Sequence, residues 1–254
     1  MKFIAIIPAR YASTRFPGKP LAMLGGKPVI RRVCEQAAKV FDDVVVATDD
    51  ERILNAVSEF GGRAVMTSAS HRSGTDRCYE AYCKCGTTAD VVVNIQGDEP
   101  FIRPSQLETI KSLFDVEETQ IATLAKPFGP DASYERIANP NSPKVVTDDN
   151  GFALYFSRSV IPYLRGSDTE LWPSQHPYLK HVGLYAFRTG VLARITSLPQ
   201  APLEKAESLE QLRWLSAGYR IRVGLTDVET VGIDTPSDLA AAEVFLKEHN
   251  MDMI

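Results

Sequence analysis

Residues 8–20 read Pro-Ala-Arg-Tyr-Ala-Ser-Thr-Arg-Phe-Pro-Gly-Lys-Pro and gather three cations, Arg10, Arg15 and Lys19, around Ser13 and Gly18. Such a loop can wrap a polyphosphate with backbone N–H groups and set positive charge on its oxygens. The plain alternative is a solvated loop with ordinary surface charge. Its position favours the first reading. The apolar run Phe3–Ile7 directly precedes the loop and reads as a buried strand. Ligands of open α/β sheets collect beyond the carboxyl ends of such strands. The loop is not a P-loop, because Gly25-Gly26-Lys27 ends in Pro28 and Gly18-Lys19 also runs into a proline; nor does it contain GxGxxG. Common nucleoside-triphosphatase and dinucleotide-dehydrogenase readings therefore lose support.

Three further stretches carry candidate chemistry. Gln96-Gly97-Asp98-Glu99-Pro100 follows the apolar run Val91–Ile95, so Asp98 emerges at a strand's carboxyl end. A carboxylate facing a triphosphate repels it unless a hard cation lies between, and magnesium suits one or two carboxylates plus phosphate oxygens. A simple turn built on Gly97 and Asp98 is the other reading. In Ser73-Gly74-Thr75-Asp76-Arg77, Ser73 or Thr75 can cap a helix, and the same exposed N–H groups and hydroxyls can read a small planar base. In Gly232-Ile233-Asp234-Thr235-Pro236, spacing favours Asp234 as a helix cap over a second metal carboxylate.

A last group comprises Arg158, His181, Tyr185, Glu210 and Gln211. A guanidinium such as Arg158 can take a carboxylate bidentately. His181 and Tyr185 share a strand face by period two, which from sequence alone is better explained as a half-polar sheet face. Glu210 and Gln211 read as ordinary helix surface. Trp172 falls in an expected loop, as a packing anchor or a cover for a ligand.

The elements that must position these residues follow from hydrophobic periodicity. Strands are expected at Phe3–Ile7, Asp43–Thr48, Arg63–Met66, Val91–Ile95, Ile121–Ala125 and Arg220–Leu225. Helices are expected at Pro28–Val40, Asp50–Phe60, Asp76–Lys84, Pro104–Phe114, Leu203–Ala217 and Pro236–Glu248, with Pro28, Pro104 and Pro236 at first helical positions. This alternation predicts an α/β fold with a mainly parallel sheet flanked by helices. Lys144–Thr147 and Phe152–Phe156 flank Asp-Asp-Asn-Gly and predict an antiparallel hairpin, with a further strand at His181–Phe187. Residues 127–143 and 163–178 read as irregular. Residues 126–190 are taken as a β-rich arm inserted into a single domain spanning 1–254, with an edge that could pair with another subunit.

Composition bounds the function. The chain has 254 residues, 44% of them hydrophobic, and a formal net charge of −4. That balance does not suggest nucleic-acid binding, so an anionic substrate needs local cations of the kind the first loop offers. No run of eighteen or more apolar residues predicts a membrane span. Met1-Lys2 leads into a strand without a cleavage site, so no signal peptide is read. Cys34, Cys78, Cys83 and Cys85 lack metal-site spacing and are expected to be reduced. The expected setting is cytoplasmic.

The runs Ile7–Leu21, His71–Arg77, Asn94–Pro100, His181–Arg188, Ser208–Arg213 and Gly232–Leu239 together resemble the 3-deoxy-manno-octulosonate cytidylyltransferases, or CMP-KDO synthetases. They occur in the family's order. The resemblance implies a nucleotidyltransferase, Rossmann-like fold and the reaction of CTP with KDO to give CMP-KDO and pyrophosphate. It also implies magnesium, a homodimer joined through the β-rich arm, and supply of KDO for lipopolysaccharide assembly. Arg10, Ser13, Arg15 and Lys19 match the triphosphate loop. Ser73, Gly74, Thr75 and Arg77 match the cytosine and ribose region, and Gln96 is placed with them. Asp98 and Asp234 match the metal carboxylates, against the spacing-based preference for a cap at Asp234. Arg10, Lys19, Asp98 and Asp234 are the expected catalytic set. Arg158, His181, Tyr185, Glu210 and Gln211 match the sugar-acid side. Val160 and Lys180 depart from the family pattern, where proline and arginine are expected.

Overall fold

The computed structural model describes residues 1–229 and 232–248. The chain divides into two compact units, Met1–Leu107 with Thr230–Ile254, and Glu108–Glu229.

In the first unit, β1 (Phe3–Ala9) leads through the cationic loop to a short hairpin, β2 (Met23–Leu24) and β3 (Lys27–Pro28). Then come α1 (Val29–Ala37), β4 (Val44–Thr48), α2 (Glu51–Glu59), β5 (Arg63–Met66), α3 (Gly74–Cys85), β6 (Val91–Asn94) and the start of α4 (Pro104–Ser112). The sheet order is β6-β1-β4-β5, with every neighbouring pair parallel. Ile4–Ile7, Val45–Ala47 and Val91–Val93 are fully buried, which is why these strands read as continuous apolar runs and not as alternations. Pro28 is not the first helical residue as expected. It caps α1 in extended geometry, at ψ 143°.

Parallel pairing puts the carboxyl ends of β1, β4, β5 and β6 on one edge. The chain first builds outward from β1 through β4 to β5, and then returns to place β6 on β1's other side. The crevice between the ends of β1 and β6 is therefore a topological switch point, where α/β folds bind ligands. Two glycines allow close approach there. A Cβ on Gly97 would lie 2.8 Å from the Pro8 carbonyl oxygen, and one on Gly74 would lie 3.3 Å from the Pro8 ring.

The second unit contains the end of α4, β7 (Ile121–Pro127), α5 (Tyr134–Ala138), β8 (Lys144–Thr147), β9 (Ala153–Ser157), α6 (Trp172–Gln175) and β10 (Leu179–Arg188). It continues with α7 (Thr189–Ile195), α8 (Pro202–Glu207), α9 (Gln211–Ser216) and β11 (Ile221–Leu225). Here β7 is parallel to β11 and antiparallel to β10, and β8 joins β10 to β9. The expected hairpin is present, with its second strand moved one residue on. The Asp148 carboxylate accepts the N–H groups of Asn150 and Phe152, and this turn holds Phe152 outside the strand. The stretches read as irregular contain α5 and α6. Trp172 is a packing anchor, 2% exposed, against Tyr134, Tyr163 and Tyr178.

The single helix expected over Leu203–Ala217 is two helices. Ser208 takes the left-handed region at φ 51°, ending α8, and α9 restarts at Gln211. Arg213 reaches back to grip the buried Glu204 carboxylate through Nε at 2.9 Å and Nη2 at 2.7 Å, fixing the angle of the break. The remaining helix, α10 (Pro236–Glu248), belongs to the first unit. It packs Ala242 and Leu246 against Leu24, Val29, Phe101 and Ile233.

Gly97→Ala should be destabilising, since its Cβ meets backbone that cannot move aside. We expect a loss of about 1–3 kcal/mol in urea unfolding, the usual range for overpacking. An unchanged midpoint and slope would show that the end of β1 is looser than described.

Candidate active site

The cationic loop is fixed from beneath. Gly18 adopts φ 72°, donates its N–H to the Tyr11 carbonyl at 2.9 Å, and lies against the Tyr11 ring. The Arg52 guanidinium sits 3.3 Å from that ring's centroid. Arg52 is itself held by Asp50, the cap of α2, through two side-chain bonds of 2.9 and 2.7 Å. The loop's shape is thus set by an aromatic ring between a glycine and a guanidinium. Among the described residues, the amides of Ala12, Thr14 and Arg15 find no acceptor within the chain. Such free N–H groups are suited to an anion.

Above the loop lies a cleft of ≈ 390 Å³. Arg10, Ser13, Arg15, Lys19, Ser73, Gly74, Arg77, Gln96, Asp98 and Asp234 all line it. The nucleotide-side and catalytic residues expected from sequence therefore come together, apart from Thr75, which is buried in the first turn of α3. Lys19 Nζ donates to Asp98 Oδ2 at 2.5 Å and to Asp234 Oδ1 at 3.2 Å. Arg15 Nη2 pairs with the same Asp234 oxygen at 3.1 Å. Arg10 is exposed and has no carboxylate partner among the described residues.

The two carboxylate segments are tied together by backbone. Ile233 N–H donates to the Asp98 carbonyl at 2.9 Å, and the Ile233 side chain is buried beside α10. The spacing-based choice of Asp234 as the cap of α10 is corrected. Thr235 Oγ1 accepts the Asp238 N–H at 3.2 Å, while the Asp238 carboxylate accepts the N–H groups of Thr235 and Asp234 at 2.8 and 3.0 Å. This reciprocal capping leaves the Asp234 carboxylate for cations. Two carboxylates sharing one cation fit a hard divalent ion, which takes one or two carboxylates and completes its shell with phosphate and water. The ammonium of Lys19 stands where such a charge would act.

Ser73 caps α3, its hydroxyl accepting the Asp76 N–H at 3.1 Å. Arg77 is almost fully buried and serves the fold around the cleft, donating to Asp49 at 2.8 Å and to Thr67 Oγ1 at 2.6 Å. The loop between β5 and α3 is pinned by Glu80, which the sequence reading did not single out. Burial opposes ionisation there, yet Lys84, the Ser68 N–H and His71 together hold the Glu80 carboxyl down to about 2. The i,i+4 spacing of Glu80 and Lys84 was the signal available for it. Arg52 offered none, since its partner Tyr11 is remote in sequence.

The expected sugar-acid residues all lie in the second unit. β10 bulges between Val182 and Tyr185, with Tyr185 opposite Thr123 and Val182 opposite Leu124. The bulge adds two residues, so parity is kept and the His181 and Tyr185 rings remain neighbours at 5.4 Å. Thr123 Oγ1 lies 3.0 Å from His181 Nε2. Burial pushes His181 down to about 3, so the ring is neutral at neutral pH. Burial, and then the charge of Glu210, push Tyr185 well above its ordinary value. Gln211 is not helix surface as expected. It is 4% exposed, and its Nε2 and the Tyr185 hydroxyl are buried without hydrogen-bond partners among the described residues. The Arg158 guanidinium donates to the carbonyls of Glu207, Pro140 and Ser208 at 2.6, 2.8 and 3.2 Å. A carboxylate would meet only its remaining N–H groups.

A family model described as cytidylyltransferase matches residues 4–221. The 3-deoxy-manno-octulosonate cytidylyltransferase of Phocaeicola vulgatus is 66% identical over 248 residues, covering 98% of each chain. The corresponding protein of Bacteroides thetaiotaomicron is 65% identical, covering 98% of this chain and all of its own.

The chain belongs to the 3-deoxy-manno-octulosonate cytidylyltransferases.

A solved CMP:2-keto-3-deoxy-manno-octonic acid synthetase complexed with CTP is 43% identical, with a TM-score of 0.90 over 98% of this chain and 100% of that one. The nucleotidyltransferase fold expected from the sequence is therefore shown. A 4-diphosphocytidyl-2C-methyl-D-erythritol synthase from Anaerococcus prevotii, at 14% identity and a TM-score of 0.60, shares the fold.

In this cytidylyltransferase the neutral His181 has a measurable consequence. Between its ordinary value of 6.5 and about 3, the unfolded chain carries a proton on His181 that the native chain lacks. The unfolded state binds more protons in that window, so stability rises with pH and is lost as pH falls, by up to ~1.4 kcal/mol per pH unit. His181→Gln should remove this part of the slope between pH 7 and 5 in urea unfolding. Equal slopes for the two proteins would mean that His181 takes up its proton over the same pH range in the native and unfolded states.

Proposed function

We propose that this chain transfers the cytidylyl group of CTP to 3-deoxy-manno-octulosonate, giving CMP-KDO and pyrophosphate. The observation that carries this reading is the convergence of Arg15, Lys19, Asp98 and Asp234 on one cleft, in a chain of this family. The sugar's anomeric hydroxyl oxygen forms a bond to the α-phosphorus, the bond from that phosphorus to the pyrophosphate oxygen breaks, and the hydroxyl proton passes to solvent. No side chain is assigned as general base. A polyanionic nucleotide and a sugar carboxylate repel each other, so neutralisation and positioning are the main requirements.

Arg10, Arg15 and Lys19 answer the first requirement, with the free amides of Ala12, Thr14 and Arg15 following the phosphate chain. Ser73 and Gly74 stand at the start of α3, where a base and its ribose can approach the backbone. Asp98 and Asp234 would hold magnesium, which when bound supplies Lewis-acid polarisation of the phosphate oxygens and of the incoming hydroxyl. His181, Tyr185, Glu210 and Gln211 would take the sugar acid's hydroxyls, and Arg158 its carboxylate.

The product supports lipopolysaccharide assembly, and we place the reaction in the cytoplasm. No helix among the described residues is long and apolar enough to cross a membrane. We further propose a homodimer formed through the β-rich arm, because among the described residues β9 pairs only with β8, and Leu154 on it is 62% exposed.

Pyrophosphate release from CTP and magnesium, measured against a panel of sugar acids, tests the reaction. KDO should give the highest kcat/KM, while release with a sialic acid alone would reassign the acceptor and no release with any acid would refute catalysis. Asp98→Asn should keep the fold and lower kcat by roughly two orders of magnitude, the scale of losing one strong electrostatic element. Near-normal turnover in a folded Asp98→Asn protein would remove Asp98 from the metal site.

A further inference from the structure

Lys19 is held differently from the other loop cations. It opens a short turn, Lys19–Leu21, between the left-handed Gly18 and the buried Pro20, and its side chain is only 12% exposed. Its ammonium bridges Asp98 Oδ2 at 2.5 Å and Asp234 Oδ1 at 3.2 Å. The exposed Arg15 adds a second positive charge at the same Asp234 oxygen. The pair of carboxylates is therefore already neutralised by the chain. The bond from Ile233 N–H to the Asp98 carbonyl and the Thr235–Asp238 cap keep both carboxylates in place independently of Lys19.

A divalent ion placed on these same two oxygens would meet an ammonium within hydrogen-bond distance of both. Like charges at that separation repel strongly at the effective dielectric of a protein surface. Metal and ammonium thus compete for one position. A triphosphate changes the competition, because it offers Lys19 alternative acceptors and offers the metal further oxygen ligands. The root of Lys19 is fixed in its turn, while its four-carbon stem lets the head group move between acceptors.

We propose that Lys19 is an internal counter-cation that keeps divalent metal off the Asp98–Asp234 pair until a nucleotide triphosphate draws the ammonium away. Metal loading is then conditional on nucleotide, and by linkage each raises the affinity for the other. This rests on the proposed reading of the two aspartates as metal ligands. It adds that the empty enzyme excludes the metal, which that reading does not require.

Manganese binding to the full chain, followed by electron paramagnetic resonance without nucleotide, tests the proposal. Wild type should bind Mn2+ weakly. Lys19→Met should bind it about tenfold more tightly or better, since one opposing charge is gone. Adding Asp98→Asn to Lys19→Met should abolish the gain. Equal Mn2+ affinity in wild type and Lys19→Met overturns the proposal, as does wild type binding Mn2+ equally well with and without CTP. Circular dichroism checks folding, and Lys19→Gln replaces Lys19→Met if the latter does not fold. Water-proton relaxation enhancement of wild type with Mn2+ and CTP isolates the underlying reading. A ternary enhancement that Asp98→Asn removes supports the metal ligands whatever Lys19 does, and its absence refutes them.

Discussion

Two carboxylates that face one cleft repel each other unless a cation lies between them, and the first unit is organised around meeting that requirement. Asp98 and Asp234 come from segments far apart in the chain, and Lys19 bridges both across sequence separations of 79 and 215 residues. The fold holds them together by means that do not use their side chains. Gly97 brings the end of β6 against the backbone of β1, and the Ile233 amide bonds the Asp98 carbonyl. The cap of α10 draws on Thr235 and Asp238, so Asp234 has no structural duty to relinquish. Positioning is done by backbone and packing and not by the carboxylates themselves.

The same division of labour extends to the cationic loop. Its shape is fixed by Tyr11, Gly18 and the Asp50-held Arg52, none of which needs to touch a phosphate. Arg77 closes a buried pair with Asp49 beside the cleft, and Glu80 anchors the loop that delivers Ser73. Supporting ions are buried or tightly paired, whereas the cations that meet a ligand on the reading proposed above are either exposed, as Arg10 is, or, by the inference drawn from the structure, exchangeable, as Lys19 is. Breaking a buried pair such as Arg77–Asp49 leaves an uncompensated charge and is expected to cost more than losing an exposed one. Substitutions at Arg77 therefore act on the shape of the site as much as on any contact with a base.

Much of this was legible in the sequence because parallel strands buried on both faces write themselves as apolar runs. Phe3–Ile7 and Val91–Ile95 located the two loops of the cleft, and the run from Ser73 located the start of α3. What was not legible depended on long-range contacts. Nothing near Ser208 announces a left-handed residue, so Leu203–Ala217 read as one helix, and Gln211 read as surface when the break turns it inward. Asp234 read as a cap because it precedes Thr-Pro, whereas the reciprocal bonds of Asp238 give that task to Thr235. Each error has the same source: local spacing states which groups are available, and tertiary structure decides which are already occupied.

The two units differ in the kind of recognition they support. The first carries charge against charge, with strength set by Coulombic attraction and by how readily cations can be exchanged. The second sets a neutral imidazole at His181 beside a Tyr185 hydroxyl and a Gln211 amide that are buried without hydrogen-bond partners among the described residues. A buried donor left unsatisfied costs about 1–3 kcal/mol, so a ligand that supplies the missing acceptor recovers that energy and one lacking it does not. On the reading proposed above, phosphate affinity in this enzyme would come from exchangeable cations and would weaken with salt. Discrimination among sugar acids would come from neutral hydrogen bonds whose penalty falls on analogues missing a single hydroxyl. A neutral His181 suits that division, because a charged one would attract any carboxylate whatever the hydroxyl pattern of the sugar that carries it.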